Sequence, residues 1–367
     1  MNKMFNCQES SLIELTHNEA WYRMLKDRNH VRIPGKNPIK LSGYVKDQPD
    51  DEWEILDRDG VNIHEDECFV RDAMFKPDMR LTHPCDVFVY DGYGTSGKPQ
   101  DEYGTFVLDG STNDPKSHLY LTRQWKSLIT KGEKCCWKSV LDKFHKGKTP
   151  PSNALIIIDR YLFSYNPESQ TDYKNGIRNV FGLLNELLPQ TFSGEYHVLI
   201  VFDDTAISNG ATINQISRGL QKIKMQLNRN FIPTIELLTV NKNVDVRMFS
   251  ETHDRKIISN YYMITCTHGF SAVLPSAERR DDVDYIGYGN GAWSQTIMYE
   301  GVYAGINAED EDLDVSALPI RTTEKTVSYL SDYLRKLKAG RTGFNYVCNG
   351  NNKTPIQEFR NRLITDD

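Results

Sequence analysis

The clearest hydrophobic pattern in this chain lies in residues 151–305. Ala154–Ile158 is an unbroken apolar run that ends at Asp159 and Arg160, and His197–Phe202 is a second that ends at Asp203 and Asp204. A strand that is apolar at successive positions, rather than at every second one, is one buried on both faces. Between the two runs, residues 171–188 place Tyr173, Ile177, Val180, Phe181, Leu184, Leu187 and Leu188 at helical spacing. Residues 212–229 do the same with Ile213, Ile216, Leu220, Ile223 and Leu227. A third run, Thr234–Val240, completes an alternation of strands and helices. Such alternation predicts an α/β domain over 151–305 with a mostly parallel sheet and flanking helices.

The flanking regions carry different patterns. Residues 11–29 predict a helix, with Thr16 and Glu19 as a capping box and Trp21, Met24 and Leu25 behind them. Short apolar runs follow at Trp53–Leu56, Cys85–Tyr90, Gly104–Leu108 and His118–Leu121, separated by Asp-Gly turn signals at 59–60, 91–92 and 109–110. That spacing predicts an antiparallel, β-rich N-terminal domain over 1–150. The domain closes with a helix within 126–150, carrying Trp137, Val140, Leu141 and Phe144, and a linker, HKGKTPPSN, at 145–153. Residues 306–367 read as a helical extension. One helix spans 323–338, with Thr323 as cap, Val327, Leu330, Leu334 and Leu337 as stripe and Gly340 as stop; another spans 354–364 with Ile356, Phe359 and Leu363.

Composition narrows the function. Of 367 residues, 39% are hydrophobic and 26% charged, the balance of a globular protein with a sizeable core. A net charge of −6 argues against a free-standing duplex-binding protein, though not against a local basic groove. Seven cysteines without CxxC spacing fit a reducing compartment better than a disulfide framework. With no apolar leader in MNKMFNCQESS and no run of 18 apolar residues, the expectation is a soluble, cytoplasmic protein without a membrane span. A phosphate-cradling GxxxxGK[ST] loop is absent, which excludes that class of ATPase. His64-Glu65-Asp66-Glu67, and His83 near Cys85 and Asp86, lack metal-ligand spacing and read as loop acids; no metal and no cofactor is expected. Gly287, Gly289 and Gly291 with Asn290 read as a loop within 281–301.

The chemistry concentrates in residues 249–274, FSETHDRKIISNYYMITCTHGFSAVL. His253 and Arg255 are two apart at the head of a β-type run, and residues two apart on a strand share a face. An imidazole beside a guanidinium suits phosphate, because arginine offers phosphate oxygens a planar fork of donors. Asn260 follows, then a second β-rich run at Tyr261–Cys266, then Gly269 and Ser271. This stretch resembles the HxK(x)4D motif of the phospholipase D-like superfamily, read here as His253-x-Arg255-(x)4-Asn260. Lysine is replaced by arginine, aspartate by asparagine, and the motif occurs once where the chemistry needs two histidines.

The resemblance implies catalytic positions at His253, Arg255 and Asn260, with Lys256 and Ser271 contacting a phosphate-bearing ligand. Asp203 and Asp204, at a strand end where ligands of open α/β sheets bind, join that ligand-binding set; the alternative is that they cap the turns that follow. Two functions result. The first is a non-catalytic binding or assembly subunit of a homodimer or multi-protein complex, with a nucleic-acid or phosphate ligand and, by analogy with the family's divergent branches, a role in a bacterial defence or mobile-element system. The second is a metal-independent phosphodiesterase or nuclease in which His253 attacks phosphorus and His253 of a second copy protonates the leaving oxygen.

Overall fold

A computed structural model gives the fold; it describes residues 4–7, 30–34, 62–66, 86–90, 102–109, 124–130, 151–164, 172–207, 211–240, 255–260, 262–266, 270, 292–300, 319–340, 346–350 and 354–364. The chain divides into two compact units, residues 1–123 with 192–194 and 300–320, and residues 124–191 with 195–299 and 321–367. The protein is of the α/β class.

The first unit holds β1 (Met4–Cys7), β2 (His30–Pro34), β3 (Asn62–Asp66), β4 (Asp86–Tyr90) and β5 (Phe106–Asp109) in one sheet of order β3-β2-β1-β4-β5. Every pairing in it is parallel. The antiparallel expectation is therefore corrected. Apolar runs and Asp-Gly turns mark where strands stop, not which way the next one runs. Direction follows from connection length, and residues 8–29, 35–61 and 91–105 are each longer than the dozen or so that a parallel crossover needs. His64, Glu65 and Asp66 lie in β3, not in a loop.

The second unit is built on an eight-stranded sheet of order β13-β9-β8-β7-β10-β11-β12-β6. Its members are β6 (Gln124–Thr130), β7 (Ala154–Ile158), β8 (His197–Phe202), β9 (Thr234–Thr239), β10 (Arg255–Ser259), β11 (Tyr262–Cys266), β12 (Ala292–Glu300) and β13 (Tyr346–Cys348). The centre matches the sequence pattern: β7 pairs with β8 and β8 with β9, both in parallel. Side chains along β7 are at most 4% exposed, as a strand covered on both faces requires. Around this core the sheet is mixed rather than mostly parallel. β10 runs antiparallel to β7 and forms a hairpin with β11, β12 pairs antiparallel with β6, and β13 pairs antiparallel with β9.

Helices α1 (Tyr173–Leu187) and α2 (Ile213–Lys224) are the crossovers between the three parallel strands, and they pack on each other. Asp172 caps α1 by accepting the Lys174 N–H, and Thr212 with Gln215 makes a reciprocal capping box on α2. The helices approach closely at Gly219, where a Cβ would stand 2.3 Å from Ile177 Cδ1. At Gly176 a Cβ would stand 2.1 Å from the Leu162 carbonyl oxygen, so α1 rests directly on the turn that follows β7.

Further out, the sequence pattern was a weaker guide. Residues 124–130 are strand β6, and residues 292–300 are strand β12 where a loop is expected; the helix expected within 126–150, with Trp137, Val140, Leu141 and Phe144, lies outside the described residues. Helix α3 (Pro319–Gly340) buries Leu330, Leu334 and Leu337 of the predicted stripe. It begins at Pro319, a residue preorganised for a first helical turn, so Thr323 lies inside the helix and is not its cap. Residues 354–364 form a single 3-10 turn at Ile356–Glu358 rather than a helix. The helix expected at 11–29, the runs at 53–56 and 118–121, and the glycines at 287–291 lie outside the described residues.

Leu220 in α2 is completely buried. Leu220→Ala should lower stability by about 2–4 kcal/mol, the range for deleting a buried leucine side chain. A chemical-denaturant melt in which the midpoint does not move would mean that this face of α2 is not core.

Candidate functional site at the carboxyl ends of strands β7 and β8

The register of the central strands decides which charged residues meet. β7 and β8 pair Ile158 with Val201, so two residues further on Arg160 comes level with Asp203. Arg160 Nε donates to Asp203 Oδ2 at 2.9 Å, and the Asp203 N–H donates to the Arg160 carbonyl at 3.3 Å. On the other side, β7 pairs Ile158 with Lys256 in antiparallel fashion, which sets Asp159 level with Arg255. Arg255 Nε lies 3.6 Å from Asp159 Oδ1. Two arginine–aspartate pairs thus stand side by side at one end of the sheet.

Each carboxylate also ties down local backbone. Asp159 accepts the Tyr161 N–H at 3.0 Å and the Phe270 N–H at 2.8 Å. Asp203 accepts both the N–H and the hydroxyl of Thr205, at 2.9 and 2.6 Å, and so caps the short 3-10 turn at Asp204–Ala206. The capping alternative for Asp203 is what the geometry shows, together with the arginine pair. Burial pushes the Asp159 carboxyl above its ordinary range, and the Arg255 charge with the two N–H donors opposes this. Burial and the neighbouring Asp203 push Asp204 up as well.

Tyr161 lies between the two pairs and is 39% exposed. The Arg160 guanidinium carbon is 4.8 Å from its ring centroid, and that of Arg255 is 5.7 Å away. Both fall within the reach of a cation–π interaction. The outcome is an exposed aromatic ring bracketed by two guanidinium groups, each oriented by a buried carboxylate. Nothing in the sequence singled out Tyr161, because one tyrosine after a strand carries no pattern.

The other predicted residues are dispersed. Asn260 is fully buried at the far end of β10, five residues and roughly 16 Å of strand from Arg255. Its Oδ1 accepts the Asn153 N–H at 3.1 Å, which fastens the end of β10 to the segment entering β7. Lys256 follows Arg255 directly, so strand alternation turns it to the opposite face of the sheet. His253 and Ser271 lie outside the described residues. No group of three or more histidine, cysteine or acidic side chains able to hold a metal occurs among the described residues. No helix among them is long and apolar enough to cross a membrane.

A second polar cluster, not foreseen from the sequence, lies at the opposite end of β8. Glu195 Oε1 accepts the Thr234 hydroxyl at 2.5 Å and Arg360 Nη1 at 3.0 Å, and its Oε2 is 3.5 Å from His197 Nε2. Glu236, wholly buried in β9, accepts the Tyr346 hydroxyl at 2.8 Å and the Arg360 N–H at 2.6 Å. Tyr346 and Arg360 stand more than a hundred residues along the chain from Glu195 and Glu236, so no local spacing could announce the cluster.

Neither a scan against protein-family models nor a search of the curated proteins returns a match to this chain.

Asp203 supports the site and the turn beside it at once. Asp203→Ala should cost about 1–3 kcal/mol, since it removes a buried acceptor from Arg160 and from Thr205. Denaturant melts of the two proteins measure this, and equal midpoints would show that the pair is incidental to the fold.

Proposed function

We propose that this protein is a non-catalytic binding or assembly subunit whose phospholipase D-like half takes a phosphate-bearing ligand at the carboxyl ends of β7 and β8. The observation that carries the proposal is the commitment of the motif residues to the scaffold. Arg255 is paired with the buried Asp159, and Asn260 holds the Asn153 backbone at the other end of the strand. A catalytic arginine must be spent on the transferring group, whereas this one is also needed by a carboxylate that has no water to turn to.

Binding has support from the same atoms. Guanidinium groups held in place by carboxylates lose little rotamer freedom on meeting an anion. Tyr161 adds a partly exposed flat surface between them. Together they suit a ligand that joins phosphate to a planar group, such as a nucleotide or an exposed nucleic-acid end, rather than phosphate alone. A homodimer or a multi-protein complex, in a defence or mobile-element setting, is the context that the family resemblance adds.

The test uses the full chain and two assays. A short single-stranded oligonucleotide, titrated by fluorescence anisotropy, should bind, and Arg160→Gln or Tyr161→Ala should weaken it about tenfold or more, the scale of one lost charged hydrogen bond or one base–aromatic stack. A chromogenic phosphodiester with chelator present should not be turned over at any protein concentration. Metal-free cleavage that falls on dilution and vanishes in His253→Ala would establish the phosphodiesterase function instead, with His253 of two copies acting together.

A further inference from the structure

We propose that Glu236 is a proton-operated latch that fastens the C-terminal segment, residues 354–364, across the amino-terminal ends of β7, β8 and β9. This goes beyond the ligand site, which stands at the other end of the same strands.

The attachment is specific. Glu236 Oε1 receives two donors, the Tyr346 hydroxyl from β13 and the Arg360 N–H from the segment. Asn361 Nδ2 donates to the Leu155 carbonyl in β7 at 3.0 Å, and Arg360 Nη1 reaches Glu195. The Phe359 ring meets Tyr346 edge to face at 5.9 Å. Ile356, Leu363 and Ile364 are buried, so the segment covers apolar surface as well.

What makes the attachment sensitive to protons is the other carboxyl oxygen. Glu236 Oε2 is buried and has no hydrogen-bond partner among the described residues. An ionised carboxylate there would leave charge on an oxygen that neither protein nor solvent stabilises. A proton on Oε2 removes the difficulty and leaves Oε1 free to accept both donors. The charged and titratable groups around it are Tyr346 and Cys348 from β13, Glu195 and His197 at the start of β8, Arg360 and Arg362 from the segment, and Lys224 of α2 near Cys348. Burial raises the Glu236 carboxyl to about 7, against the smaller opposing pull of the Arg360 N–H and the Tyr346 hydroxyl.

The sign follows. An acid whose closed-state pKa is raised holds its proton more tightly closed than open. Closure is therefore strongest below the open-state value and is lost as pH rises through about 7. His197 acts in the opposite sense. Burial lowers its pKa, against the opposing pull of Glu195, whose Oε2 is 3.5 Å from Nε2. Charging the imidazole at acid pH therefore also works against closure. The latch holds best between these two limits.

Hydrogen exchange of the peptide covering 354–364 in the full chain, corrected for the intrinsic dependence on pH, reads closure directly. Wild-type protection should fall about tenfold between pH 6 and pH 8 and level off above about 7. Glu236→Gln keeps the acceptor and cannot ionise, so its protection should not fall over that range, while Glu195→Gln should still show the fall. Flat wild-type protection would overturn the proposal, as would a fall of equal size in Glu236→Gln. Should Glu236→Gln not fold, the wild-type profile decides alone: protection that rises with pH up to neutrality, the sense set by His197, instead of falling overturns the latch.

Discussion

Asp159 ends a strand in which every side chain is buried, so its carboxylate has to find its partners within the protein. It finds them in three places that are distant along the chain: the Tyr161 N–H in the following turn, Arg255 at the head of β10, and the Phe270 N–H beyond β11. A buried ion pair of this kind adds little net stability, because desolvation offsets the attraction. Removing one partner is a different matter, since it leaves the other charged and dry. The carboxylate therefore acts as a geometric constraint. It fixes where β10 starts relative to β7, orients Arg255 and shapes the turn that displays Tyr161. Gly176 belongs to the same constraint, for only a residue without Cβ lets α1 sit against the Leu162 carbonyl beneath that turn.

The two ends of the central strands have been given different electrostatic tasks. At the carboxyl ends each buried carboxylate is matched by an arginine, and the pairs bracket an exposed ring. At the amino ends Glu236 is buried without a cation on its second oxygen, and its neighbours are a tyrosine, a thiol and a backbone N–H. The first arrangement presents two guanidinium groups beside an exposed ring and suits recognition of an anion. The second is poised near neutrality and suits a change of state. Both rest on the same buried central strands, which hold the two sites apart.

Sequence made the centre of the second unit legible because burial there is total. Ala154–Ile158, His197–Phe202 and the stripes of α1 and α2 are patterns that only a covered parallel core demands, and the strands fall where those patterns place them. Legibility fell off where direction or partner choice mattered. Nothing local tells that β10 turns antiparallel, that the first sheet is parallel, or that residues 346–348 add an edge strand beside β9. The C-terminal segment misled for a physical reason: its apolar residues Ile356, Phe359 and Leu363 have helical spacing, but tertiary contacts to β7 and β9 hold it in short turns and irregular backbone. Of the candidate site, Asp159, Arg160, Asp203 and Arg255 could be located from strand ends, whereas Tyr161 and the Glu236 cluster are products of three-dimensional pairing.

Strand geometry alone separates the tasks of Arg255 and Asn260. A strand advances about 3.3 Å per residue, so positions five apart stand at opposite ends of a short strand. They cannot share one ligand unless the chain bends between them, and β10 runs unbroken from Arg255 to Ser259 in register with β7. Arg255 is therefore available to the site at the carboxyl end of β7, while Asn260 is available only to the opposite end, where the Asn153 backbone uses it. Residues that do meet Arg255 come from other strands, as Asp159 and Tyr161 do. Asparagine in place of aspartate fits that position, because a neutral amide can be fully buried against a backbone N–H without the desolvation penalty of a charge. Asparagine at position 260 is the residue that this packing favours.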